Sequence, residues 1–354
     1  MTRTVVVLPG DGSGPELVRA AQRVLDASGA DLRWEVHQVG ATAEEPLGEA
    51  ALAAVRRAGV ALKGPVATPP GTRSVNLRLR RELDLYLQVR PARTRPGVAG
   101  AHPEVDLVVA RETTEDLYAG VELPAGDPDT ERVLALLRDR GADLAEGSAL
   151  AVKPTSAAAS ARAARAAARW AADHGIDRLT VVHKAAVMPA TDGLFLEAAT
   201  SAAADEAPGL HVDAMSVDAA AAALVRRPGR FGLLLMPNLY GDVLSDLAGA
   251  LVGGLGLAPG ANLGDDGRAV FEAVHGTVPR QAGRGTADPL ALVLSGAMLL
   301  RHVGEVAAAD RVERAVDALL ADGSVLPRDL VPDGRPAAGT DEVADALVGL
   351  LSQA

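Results

Sequence analysis

Short apolar runs alternate along this chain with longer stretches in which apolar positions recur every third or fourth residue. The runs predict strands over 4–8, 32–39, 60–62, 105–110, 150–152, 179–183, 212–217 and 231–236. The longer stretches predict a helix from Pro15 and others over about 47–58, 73–83, 156–173, 191–206, 218–227, 242–252, 289–303, 305–320 and 341–352. Pro15 suits a first helical turn because the N–H it lacks has no partner there anyway. Strand–helix alternation predicts an α/β fold with a largely parallel sheet. The stretch 119–148 breaks the pattern with Pro124, Gly126, Pro128, Gly141 and Gly147, and reads as an inserted arm or clasp. No repeat and no linker interrupts the chain, so its domains are expected to be discontinuous in sequence.

Length and composition narrow the class. At 354 residues the chain has room for about two domains, and 48% hydrophobic with 23% charged residues is a folded, globular composition. With no cysteine, disulfides, iron–sulfur clusters and thiolate zinc sites are excluded. A net charge of −11 argues against a nucleic-acid partner. No apolar run approaches the roughly 18–20 residues of a membrane span. Met1-Thr2-Arg3 leads straight into a strand rather than a signal peptide, so a cytoplasmic location is expected. The basic residues are 32 Arg and only three Lys, at 63, 153 and 184. Coding bias toward Arg and Ala explains the skew, yet a lysine retained under it marks a place where a releasable proton matters.

Several segments carry candidate chemistry. Gly10-Asp11-Gly12-Ser13-Gly14-Pro15-Glu16 follows the first strand, but its spacing is not that of a dinucleotide fingerprint. No ribose-binding acid follows about 20 residues on, so a tight turn is the plainer reading and a Rossmann domain is not supported. Arg73, Arg78, Arg80, Arg81 and Arg90 crowd a short segment, as either a solvated helix face or a grip for a small polyanion. Ser74 and Arg78 lie four apart on one face. Arg111 to Tyr118 follow a strand end, where functional residues of open α/β sheets collect. Asp242 and Asp246 share a helix face and would repel unpaired. Either one caps a helix while the other is solvated, or with Asp218 they hold a hard divalent cation. The glycine-rich 254–260 and the loop Glu272-Ala273-Val274-His275-Gly276-Thr277-Val278-Pro279-Arg280 are either turns or a phosphate cradle.

Eight of these motifs, in order over nearly the whole chain, resemble the β-decarboxylating dehydrogenase family of isocitrate, homoisocitrate and 3-isopropylmalate dehydrogenases. They are GDGSGPE (10–16), LKGP (62–65), RSVN through VRP (73–91), RETTEDLYAGVE (111–122), VHKA (182–185), NLYGDVLSD (238–246), GGLGLAPGANLGD (253–265) and HGTVP (275–279). The resemblance implies a two-domain α/β fold distinct from a Rossmann fold. The large domain would comprise 1–93 and 254–354, and the small one 94–253, with a dimerisation arm at about 119–148. It implies metal-dependent oxidative decarboxylation of a 3-substituted malate, with active sites shared across a homodimer. By position, Arg80, Arg90 and Arg111 would clamp the malate carboxylates. Ser74 and Asn76 would hold a polar distal group, with Arg78 one turn beyond them. Asp242, Asp246 and the partner's Asp218 would hold Mg²⁺ or Mn²⁺. Lys184, again from the partner, would be the base and Tyr118 the acid. Thr68, Glu272, His275, Gly276, Thr277, Val278, Arg280 and Asp288 would line the cofactor site.

Several departures stand out within that resemblance. Thr113, Ala186 and Asp288 occupy positions where the family usually has Asn. Arg78 replaces a small residue, and the loop at 69–73 is about two residues short. Arg280 stands where NAD-using members carry Asp, which implies NADP, with NAD the alternative and exposure to solvent the plain reading of that Arg. The housekeeping reaction on isocitrate, a specialised paralogue acting on a homoisocitrate, isopropylmalate or phosphonate analogue, and a catalytically silent regulatory subunit remain as alternatives.

Overall fold

The computed structural model describes residues 2–353 except 70, 71, 73, 332 and 333. Arg73 of the arginine-rich segment and most of the shortened loop therefore lie outside the described residues. The first part of the chain forms β1 (Arg3–Leu8), α1 (Gly14–Ala27), β2 (Leu32–Val36), α2 (Glu49–Ala58), β3 (Val60–Lys63), α3 (Val75–Glu82) and β4 (Leu87–Arg93). Next come β5 (Asp106–Glu112), β6 (Glu122–Leu123), α4 (Pro128–Asp139), β7 (Leu150–Ala151), α5 (Ala157–Asp173) and β8 (Arg178–His183). They are followed by α6 (Asp192–Glu206), β9 (His211–Ser216), α7 (Val217–Arg226), β10 (Leu233–Met236) and α8 (Asn238–Leu251). The last part forms β11 (Pro259–Leu263), β12 (Ala269–Ala273), α9 (Leu290–His302), α10 (Val306–Asp322) and α11 (Thr340–Gln353).

Ten strands make one sheet in the order β2-β1-β3-β12-β11-β4-β5-β10-β8-β9. Strands from the two ends of the chain occupy one half and those from its middle the other. Pairing is parallel at each flank, whereas β11 and β4 are joined antiparallel and β4 runs antiparallel to β5. This reversal sets Gln88 of β4 directly opposite Arg111 of β5. Helices cover both faces, as a sheet of buried parallel strands requires. Alanines 163, 164, 167, 168 and 171 of α5 are fully buried, their small side chains permitting close packing. No helix among the described residues is long and apolar enough to cross a membrane.

Four local expectations need correction. The stretch 119–148 contains a regular helix, α4, entered through Asp127, whose side chain caps the N–H of Asp129, with Pro128 at the first helical position. It also opens a two-stranded ladder of β6 with β7. β5 runs two residues further than expected, so Arg111 and Glu112 are strand residues. Helix α8 begins at Asn238, which puts Asp242 in its second turn and removes the N-cap reading of that residue. Glu272 is not on a loop but inside the buried strand β12.

Candidate active site

The C-terminal ends of β5, β10 and β8 and the N-terminal end of α8 lie together. On β5, Arg111 is 1% exposed, and its Nε donates to Asn238 Oδ1 at 2.7 Å. Another of its nitrogens pairs with Asp242 Oδ1. Helix α8 approaches this closely because residue 241 is glycine: a Cβ there would sit 2.6 Å from the Arg111 Cβ and Cγ. Tyr118, on a 3-10 turn after β5, donates its hydroxyl to Asp242 Oδ2, and the Arg111 guanidinium stands 4.8 Å from its ring centre. Arg90 of β4 donates to Ser245 Oγ at 2.5 Å and to Asp246 Oδ1 at 3.2 Å, while its Nε is buried without a partner.

Arg80 completes the set from the inner face of α3. Its Nε donates to Asn262 Oδ1 at 2.8 Å, and a terminal nitrogen lies 3.4 Å from Glu272 Oε1. Glu272 is also bound by Lys63 Nζ at 2.6 Å, Asn262 Nδ2 at 2.7 Å and Gln88 Nε2 at 3.2 Å. Burial alone would raise its pKa, but Lys63 and Arg80 override it and hold the carboxyl at about 2. Removing one partner from such a buried pair typically costs about 3–5 kcal/mol. Glu272 thus braces Arg80 from beneath rather than facing an open loop.

The three guanidiniums are close enough to disfavour one another. Burial first, then the charge of Arg80, lowers Arg90, and the same two causes push Arg111 down to about 10. Each of the three is paired with a carboxylate of the chain, and a guanidinium has further N–H donors that suit a second carboxylate. Burial works against the Asp242 carboxylate, but Arg111, Tyr118 and Arg90 outweigh it and keep it below the usual range. Asp246, whose side chain is 54% exposed, is instead raised, by burial first and opposed by Arg90. Burial and then Asp242 raise the Tyr118 phenol, which stays protonated at neutral pH.

Lys184 and Asp218 stand apart from this cluster, paired with each other through Nζ and Oδ1. Among the described residues, no three Asp, Glu, His or Cys side chains converge in the single chain. Within the single chain, Asp218 thus does not join Asp242 and Asp246 in a three-carboxylate group among the described residues. The hard oxygen donors suit Mg²⁺ or Mn²⁺.

Ser74 caps α3, its Oγ accepting the Leu77 N–H at 3.4 Å. Asn76 presents a buried Oδ1 with no partner among the described residues, as a ligand position would. Arg78 is exposed, and Glu82 pairs with Arg56 rather than with it. On the cofactor side, the turn at 10–14 meets the loop at 275–278. The Ser13 N–H and hydroxyl both donate to Thr277 O, and Gly12 (φ +61°) leaves no room for a Cβ, which would lie 2.3 Å from that oxygen. Among the described residues the buried His275 Nε2 has no hydrogen-bond partner, and the buried Asp288 carboxyl faces that of Asp329. Gly276 and Arg280 are exposed, with Thr277 and Val278 half-buried between them. Thr68 Oγ1 accepts the Val75 N–H at 3.4 Å, joining the entry to α3.

Sequence reasoning assigned no role to Asn238, Ser245, Lys63, Gln88 or Asn262, which hold the arginines and Glu272. All five lie inside the quoted segments, a signal that could have found them, but Gln88 and Asn262 are far apart in sequence and are brought together by the β4–β11 pairing.

This fold has known counterparts. The chain belongs to the isocitrate/isopropylmalate dehydrogenase family, whose pattern matches residues 4–347. It is 42% identical over 358 residues to an isocitrate/homoisocitrate dehydrogenase of Thermus thermophilus, spanning 99% of this chain and 100% of that one. It is 38% identical over 351 residues to catalytic subunit 5 of the mitochondrial isocitrate dehydrogenase [NAD] of Arabidopsis thaliana, covering 97% and 88%. The crystal structure of isocitrate dehydrogenase from Methylococcus capsulatus superposes with a TM-score of 0.88 at 39% identity, covering 99% of both chains. The fold is accordingly the isocitrate dehydrogenase fold and not a Rossmann fold, and the family's members are dehydrogenases.

Proposed function

We propose that the protein is a metal-dependent oxidative decarboxylase of a 3-substituted malate with a polar, anionic distal group, working as a homodimer whose sites each draw on both subunits. The meeting of Arg90, Arg111 and Tyr118 at Asp242, with Arg80 close to both of those arginines, carries this reading. Their forks would fix the two malate carboxylates, with Asn76 and Arg78 toward the distal group. Asp242 and Asp246, with Asp218 from a second copy, would hold Mg²⁺ or Mn²⁺. When bound, the cation would draw electron density from the C2 oxygen and the nicotinamide would accept the C2 hydride.

Lys184 would take the proton of the C2 hydroxyl, which requires its own release of a proton near neutral pH. Loss of the 3-carboxylate as CO₂ leaves an electron pair at C3, and Tyr118 would supply the proton that quenches it. The separation of the Lys184–Asp218 pair from the Asp242–Asp246 pair within one chain supports the shared site. The division at 93/94 and 253/254, with the β6–α4–β7 arm reaching the partner, is part of the same proposal. Retention of Tyr118, Lys184 and all three aspartates favours an enzyme over a silent subunit.

For the cofactor we propose NADP, although the Arabidopsis relative is named for NAD. Arg280 is exposed at the end of the 275–278 loop with no salt bridge among the described residues, free to meet a 2′-phosphate. Turnover of isocitrate, homoisocitrate, isopropylmalate, malate, tartrate and a phosphonate analogue by the purified protein, with Mn²⁺ and each cofactor, tests the whole reading. No turnover with any of them would sink it.

A further inference from the structure

Lys153 is the one lysine that neither the sequence motifs nor the site described above absorbs. Its side chain is 13% exposed, and its ammonium sits between two buried carboxylates. It pairs with Asp192 Oδ1 and lies 3.8 Å from Asp116 Oδ1, with the Tyr240 ring centre at 5.0 Å. Asp192 is fully buried and Asp116 is 3% exposed. Among the described residues Asp116 Oδ1 has no hydrogen-bond partner, and Lys153 supplies its nearest positive charge.

Each carboxylate spends its other oxygen on catalytic backbone. Asp192 Oδ2 accepts the N–H of Lys184 at 2.6 Å. Asp116 Oδ2 accepts the N–H of Leu239 at 2.7 Å, in the first turn of the helix that carries Asp242 and Asp246. Asp116 itself opens the 3-10 turn bearing Tyr118, holds a left-handed φ of +68°, and donates its N–H to Pro154 O at 3.0 Å. Three separate pieces of chain, the Tyr118 turn, the Lys184 loop and the start of α8, thus meet at one ammonium. Without it two buried negative charges would face each other, and their repulsion would fall on these three pieces.

We propose that Lys153 is a positioning residue that sets the placement of Tyr118 relative to Lys184. Resting on the proposed function, where the two serve different sites of the dimer, Lys153 also joins the acid of one site to the base of the other. Arginine could keep the charge, but its planar fork does not fit a point between two carboxylates that each spend their second oxygen on a backbone N–H. This accounts for lysine here in a chain so rich in Arg.

The test uses three variants of the full-length protein, Lys153→Met, Asp192→Asn and Asp116→Asn. Two partial reactions are measured: reduction of the 2-oxo product analogue, which reports the Lys184 step, and solvent deuterium uptake at C3, which reports Tyr118. Small displacements of catalytic groups cost up to about 100-fold. Lys153→Met is expected to slow both reactions at least tenfold with substrate KM changed less than threefold. Asp192→Asn should slow chiefly the first, and Asp116→Asn chiefly the second. Amide hydrogen exchange at Lys184 and Leu239 should accelerate in Lys153→Met. That readout tests the proposal even where no substrate of the wild-type protein is found, so its failure is separable from failure of the proposed function. A Lys153→Met protein with lowered Tm but unchanged partial rates and unchanged exchange at both amides overturns it. So do single variants that slow both reactions equally.

Discussion

Tyr118 and Arg111 share one carboxylate: Asp242 takes the phenol on Oδ2 and the guanidinium on Oδ1. The acid of the proposed reaction is thereby held protonated by the same residue that would help bind the cation. Tyr118→Phe keeps the ring against Arg111 and removes only the transferable proton. It should lose turnover by about 10²–10⁴-fold while its Tm shifts little. Lys184→Met should do the same, since its only ion pair among the described residues is with Asp218, whose side chain is 64% exposed. Near-normal kcat in both variants contradicts the assignment.

Arg280 gives a cofactor prediction. In the wild type, kcat/KM should favour NADP over NAD. Arg280→Asp should invert that preference, because a carboxylate repels a 2′-phosphate and accepts from ribose hydroxyls instead. A wild-type preference for NAD, or a variant with an unaltered ratio, rules the contact out.

Arg78 is exposed and without Glu82 as a partner, since Glu82 pairs with Arg56. Arg78→Ala should therefore raise KM selectively for the substrate with an anionic distal group and leave a matched apolar-tailed substrate unaffected. Equal effects on both would make Arg78 a surface residue only.

Asp288 offers a stability test with a defined sign. Burial first, and the neighbouring Asp329 second, raise its pKa well above the ordinary carboxyl value. Because the folded protein holds that proton more tightly than the unfolded chain, the stability it supports is complete below the unfolded pKa of about 4. It is lost as pH rises through the folded value. Asp288→Asn removes the titration and keeps the shape, so its Tm should exceed the wild type at pH 8, with the gap closing toward pH 4. A gap that does not narrow with acidification would show that the carboxyl is ionised throughout.

The flanking strands, most helices and the segments that bring Arg90, Arg111, Tyr118 and Asp242 together were legible in the chain, because each is written locally as an apolar run, a periodic stripe or a short motif. The seam of the sheet was not. Pro259-Gly260-Ala261-Asn262-Leu263 has the composition of a loop, and the run Ala269 to Ala273 carries Glu272. Both become strands only because Lys63 of β3 neutralises that glutamate and Arg80 of α3 reaches Asn262. Those partners lie about two hundred residues away, where no window along the sequence reaches. The N-cap of α4 was readable at Asp127 and Pro128, but the surrounding glycines pointed to a loop. That Asp218 stands with Lys184 rather than with Asp242 is likewise a matter of chain path, invisible in the spacing of the aspartates.

The same seam governs how the protein comes into being. Val60 of β3 pairs with Ala269 of β12, so during synthesis β3 waits with a bare edge, apolar except for Lys63 at its end, until more than half of the chain has followed it. An unpaired edge of Val, Ala and Leu is a template for the strands of other nascent chains. Sheet closure is a long-range event of the slow, topology-limited kind. Yield on refolding should accordingly depend more on dilution and on capture of the N-terminal half than on the final stability of the native state.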